Sequence, residues 1–92
     1  MLSVYASTKF KKDVKRLVKQ GKDMEKLKAV IEKISNNQPL PESFHDHKLS
    51  GDWEGFRDCH IEPDWVLIYR IEEKRLILAL MRMGSHTELN LS

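Results

Sequence analysis

Apolar residues follow a helical period over the first 35 positions and a period of two beyond position 53, so this chain has to fold helices against a sheet. Phe10, Val14, Leu17 and Val18 stand at i, i+4, i+7 and i+8, and Met24, Leu27, Val30, Ile31 and Ile34 form a second stripe of the same kind. Ser7 or Thr8 can cap the first helix and Asp23 the second. Gly21 is a natural stop for the first, and Asn36, Asn37 and Pro39 end the second. So few residues separate the stripes that the helices form an antiparallel hairpin. Ahead of them, residues 2–6 read as a short edge strand.

Residues 38–52, with Pro39, Pro41, Gly51, His45 and His47, read as a loop. Residues 53–61, 66–71 and 76–83 read as strands, separated by Glu62-Pro63-Asp64 and by residues 72–75. Turns this short imply an antiparallel meander. The expected fold is a single α+β domain over residues 1–92, in the order β-α-α-β-β-β. Its antiparallel sheet carries the N-terminal helical hairpin on one face.

With 40% hydrophobic and 33% charged residues, the chain is expected to be globular rather than disordered. Its longest apolar runs, at 66–69 and 77–81, are too short to span a bilayer. The first residues lack the basic-then-apolar order of a signal peptide, so a cytoplasmic protein with no membrane partner is expected. The single cysteine, Cys59, falls within an expected strand and reads as a small buried hydrophobe rather than a nucleophile. The net charge of +2 hides an asymmetry. Residues 1–33 carry ten Lys/Arg against four Asp/Glu, and residues 34–92 carry six against ten. Lys11, Lys15, Lys19 and Lys22, with Lys12 and Arg16 beside them, lie off the first apolar stripe. They form either a solvated face or a surface that meets a polyanion.

No phosphate-cradling glycine loop, CxxC pair, His-Glu-x-x-His or nucleophile elbow is present. All four histidines, His45, His47, His60 and His86, lie in the second half. His60 and Asp64 flank one hairpin turn. An antiparallel last strand would bring Arg82 and His86 beside the same turn. His60, Asp64, Arg82 and His86 can therefore share one edge. Such a set suits acid–base cleavage of RNA, in which histidine moves protons and arginine holds phosphate. Three histidines with an aspartate could also bind zinc, and each could be a surface residue without chemistry.

Two stretches make the reading more specific. The first is Asp46-His47-x-Leu49-x-Gly51-x-Trp53-x-Gly55-x-Arg57-Asp58-x-His60-x-x-Pro63-Asp64-Trp65, continuing to Tyr69, and the second is Arg82-x-Gly84-x-His86. With the Lys-Asp-Val-Lys run at 12–15, the chain resembles the YafQ branch of the RelE toxin superfamily over nearly its whole length. The resemblance implies a microbial-RNase-like fold. It implies a toxin of a type II toxin–antitoxin system that cuts translated mRNA on the ribosome, without a metal or cofactor, by attack of the 2′-OH on the scissile phosphate. The matching catalytic positions are His47, His60, Asp64, Arg82 and His86, with Trp65 and position 90 on the substrate side. The basic helix would then meet ribosomal RNA. The implied partner is an antitoxin of ribbon-helix-helix type.

The family pattern ends in an aromatic residue where this chain has Asn90, which cannot stack on a base. Two other readings of the same fold stay open: a toxin that acts on DNA gyrase, and a ribosome- or RNA-binding module without catalysis. The histidines favour the nuclease.

Overall fold

The computed structural model describes residues 1–91. Strand β1 (Ser3–Ala6) leads into helices α1 (Thr8–Lys19) and α2 (Met24–Ser35). Two single-turn 3₁₀ helices, Glu42–Phe44 and Gly51–Trp53, flank a short β2 (His47–Lys48). Strands β3 (Arg57–Glu62), β4 (Trp65–Glu72) and β5 (Ile77–Gly84) follow. The helix boundaries have local causes. The Ser7 side chain accepts the Phe10 N–H, and the Asp23 side chain accepts the Glu25 N–H. Gly21 sits at φ 82°, a left-handed conformation that ends α1.

The sheet order is β1-β5-β4-β3-β2. The expected β3-β4-β5 meander is antiparallel throughout. β1, however, lies parallel to β5, with Ser3 opposite Ile77 and Ala6 opposite Leu80, so the sheet is mixed rather than wholly antiparallel. Connectivity explains the difference. Helix α2 returns the chain to the end of the sheet where it began, and there the Leu2 N–H donates to the Ser35 carbonyl at 2.8 Å. β3 therefore starts from the same end as β1, β4 reverses, and β5 runs with β1.

Both helices pack on one face of the sheet, α1 against β5 and α2 against β3. Phe10, Leu17, Leu27, Val30 and Ile34 are buried there against strand residues such as Leu67 and Leu80. Val18, at the end of the first stripe, is instead exposed. On the opposite face, Val66, Ile68 and Leu89 form a smaller core roofed by Leu49, Trp53 and Phe56. Trp53 meets Phe56 edge-on, with ring centroids 5.5 Å apart. The segment expected as a plain loop therefore builds a second layer, and β3 starts at Arg57 rather than at residue 53 because Gly51–Trp53 forms a helical turn.

Candidate active site

Two alternate rungs of the sheet, separated by the rung Cys59–Leu67–Met83, build the site. One holds His60 opposite Val66, which in turn lies opposite Gly84. The other, two residues along, runs from His47 through Asp58 and Ile68 to Arg82. The turn after β3 carries Asp64, and the turn after β5 carries His86. The segment holding His45 and His47 is tied down by Asp46, whose Oδ1 accepts the Tyr69 hydroxyl at 2.7 Å and Arg57 Nε–H at 3.2 Å.

The imidazoles converge. The His60 ring lies 4.9 Å from that of His86, nearly perpendicular to it, and 5.4 Å from that of His45. Asp64 and His86 are doubly joined, since Asp64 Oδ1 accepts the His86 backbone N–H at 3.0 Å and pairs with Nδ1 at 2.8 Å. Sequence order suggested Asp64 as a partner of His60, but its hydrogen bonds go to His86. His47 Nδ1 lies 2.8 Å from the His45 carbonyl and 3.0 Å from Asp58 Oδ1. Both Nδ1 atoms face acceptors, which places their protons there and leaves Nε2 of His47 and His86 open to substrate.

Electrostatics separate the groups. Burial holds His60 below the ordinary histidine value, the neighbouring His86, His45 and His47 push the same way, and Asp58 opposes them. The shift favours the neutral ring, the form able to accept a proton. The His86 backbone N–H, and then its ring, hold Asp64 below the usual carboxylate range. Burial pushes Asp58 up against the pull of the three histidines His47, His60 and His86. Burial also pushes the Cys59 thiol up to about 12, which removes it as a nucleophile.

Sequence reasoning missed two residues here. Asp58 is 3% exposed beneath the histidines. Its place between His47 and His60 on the ladder was hidden because β2 was not expected. His45, at the end of a 3₁₀ turn, was noted only as a loop residue, yet it lines one groove with His47 and His60.

Other expected positions fall elsewhere. Arg82 does not turn freely toward the histidines, because its Nε and Nη2 bond Asp13 of α1 at 2.8 and 3.3 Å. Trp65 was expected to meet substrate but is 0% exposed inside the helix-side core, where it cannot stack on a base. Its ring lies on the helix-facing side of β4, the parity shared with Leu67 and Tyr69. Asn90 is exposed at φ 57°, a left-handed turn position that suits asparagine. Of the basic residues, Lys11, Lys12, Lys15 and Lys19 are exposed. Arg16 instead pairs with Asp13 and Glu88. Lys22 pairs with Glu62 and sits 5.9 Å over the Trp65 ring. Those two had been expected to face solvent; intramolecular carboxylates hold them.

Comparison with known proteins places the fold and the family. The mRNA interferase toxin YafQ of Escherichia coli K12 is 46% identical over 84 residues, covering 90% of this chain and 89% of that one. A metal-bound toxin from Helicobacter pylori superposes with a TM-score of 0.92 at 44% identity, covering 97% of this chain and 99% of that one. The toxin in an E. coli DinJ–YafQ complex superposes with a TM-score of 0.86 at 42% identity, covering 97% and 98% of the two chains. The model of the bacterial type II toxin–antitoxin toxin YafQ matches residues 2–91, and the chain belongs to that family.

Proposed function

We propose that this endoribonuclease toxin cuts mRNA by acid–base catalysis at the histidine edge, the 2′-OH attacking the adjacent phosphate. The convergence of His60 and His86 carries the reading, because the two rings stand close enough to serve opposite sides of one phosphate. Neutral His60 takes the 2′-OH proton. His86 enters this step as the imidazolium, its Nδ1–H held by Asp64, and gives its Nε2 proton to the leaving 5′-oxygen, ending as the neutral ring. His47, with its proton on Nδ1, shares the base role through Nε2, and as the imidazolium it would donate Nε2–H to a phosphate oxygen. The N–H groups of Arg82 that Asp13 does not engage offset the charge that builds on the phosphorane. Asp58 sits below as a buried carboxylate whose Oδ1, 3.0 Å from His47 Nδ1, sets negative charge beneath that ring.

The metal in the H. pylori relative raises the question of fit. The histidines converge, but among the described residues no group of three or more His, Cys, Asp or Glu side chains is arranged so that it could hold an ion. No step here runs through one.

Asp64→Asn tests the proton-transfer arrangement, since the amide keeps the shape and loses the charge. Single-turnover cleavage should slow roughly tenfold or more, though less than on loss of His86 itself. A wild-type rate would remove the Asp64 charge from the mechanism.

The substrate is mRNA on the ribosome, where the exposed lysines of α1 dock on ribosomal RNA. The relative's complex with DinJ supports an antitoxin partner, and a ribbon-helix-helix protein fits that role. The compartment is the cytoplasm, where translation occurs. Among the described residues no helix is long and apolar enough to cross a membrane. Reversing Lys11, Lys15 and Lys19 to Glu should weaken ribosome binding strongly. It should also flatten the dependence of log affinity on log salt by roughly 0.7–0.9 per lost phosphate contact. Binding measured across a salt series decides this, and an unchanged slope would leave α1 a merely solvated face.

A further inference from the structure

We propose that Asp13, an α1 carboxylate outside the proton-transfer set, is the positioning residue of the catalytic edge, fixing Arg82 and the turn that carries His86. This rests on the acid–base reading and goes beyond it, since it makes the N-terminal helix part of the site.

Asp13 lies on the inner side of a helix at 2% exposure. A carboxylate so placed is costly unless its oxygens are all bonded. Here they are. Oδ2 accepts Arg82 Nε–H at 2.8 Å and the Met83 backbone N–H at 3.0 Å. Oδ1 accepts Arg16 Nη1–H at 2.8 Å and Arg82 Nη2–H at 3.3 Å. Two of the four donors belong to Arg82, and a third is the next residue's backbone.

Arg16 carries the tether further. Its Nη2 donates to the Met83 carbonyl at 3.0 Å, and its Nε lies 2.9 Å from Glu88 Oε2. Glu88 and Ser85 close a reciprocal pair around His86. Glu88 Oε1 accepts the Ser85 N–H at 2.9 Å, and Ser85 Oγ accepts the Glu88 N–H at 3.0 Å. Gly84 makes room for the crossing. A Cβ there would stand 2.9 Å from Arg16 Nη2 and 3.0 Å from Glu88 Oε1. Every partner of Asp13 outside its own helix thus lies at Arg82 or Met83, just ahead of His86. Loss of the carboxylate frees the guanidinium and loosens the turn that carries His86, while His47 and His60, on other elements, keep their places.

The test is single-turnover cleavage of mRNA on programmed ribosomes by Asp13→Asn, Arg82→Ala and the double variant, with thermal unfolding as a check of fold. Asp13→Asn keeps size and an oxygen for the Met83 N–H. It should lower the maximal rate by about 10–100-fold, the scale of a small misplacement of reacting groups, with the half-saturating ribosome concentration little changed. On the Arg82→Ala background the same change should cost far less, because residues that act through one another are not additive. Equal losses on both backgrounds, a wild-type rate, or a change in half-saturation alone would overturn the proposal. A slow Arg82→Ala beside a fast Asp13→Asn refutes the positioning role alone, whereas a fast Arg82→Ala refutes the use of Arg82 in catalysis as well. The wild-type protein gives a check independent of variant folding: its Arg82 Nε–H should be a distinct, slowly exchanging NMR resonance. A rapidly exchanging signal averaged with the surface arginines would contradict the tether.

Discussion

Replacing His86 with alanine should slow cleavage of ribosome-bound mRNA by about 10²–10⁴-fold, the usual contribution of one positioned proton-transfer group. The fold should survive, since His86 lies in a turn with a half-exposed side chain and belongs to neither core cluster. The backbone N–H that Asp64 accepts is also unaffected by the substitution. Growth inhibition should therefore disappear while antitoxin affinity and thermal unfolding stay near wild type. Single-turnover kinetics with excess toxin read the chemical step directly. Cleavage at the wild-type rate would remove His86 from the mechanism.

Trp65→Ala should act through stability instead. A fully buried tryptophan replaced by alanine typically costs about 3–5 kcal/mol, a large share of what a domain of this size has. Trp65→Phe keeps most of the apolar volume and should retain both fold and activity. Urea unfolding of the two variants beside cleavage assays separates the alternatives. A stable Trp65→Ala protein with impaired substrate binding would show that the ring meets RNA after all.

How far the sequence was legible depended on how local each signal was. The helices were readable because cap residues and apolar stripes are local, and Ser7 and Asp23 cap as their positions suggest. The meander followed from its two short turns. Its register then placed Gly84 opposite Val66, which brings His86 to Asp64 and His60. What failed was less local. Trp65 follows the turn aspartate in a motif, but only the alternation along β4 shows that its ring faces the helices. Arg16 and Lys22 stand off the apolar stripe, yet carboxylates far along the chain, Glu88 and Glu62, hold them inward. Asp58 became a site residue only through β2, a two-residue strand too short to leave a pattern. The parallel pairing of β1 depends on the path of the whole hairpin.

The most direct test of the central claim is the chemistry of the ends left on mRNA after incubation with the protein on programmed ribosomes. Attack by the 2′-OH, with His60 as base and His86 as acid, leaves a 2′,3′-cyclic phosphate upstream and a 5′-hydroxyl downstream. Those are the expected ends, absent with His86→Ala. A 3′-hydroxyl paired with a 5′-phosphate would mean that water attacked instead, and intact mRNA on ribosomes that had bound the protein would mean that it does not cut at all; either result would contradict the mechanism.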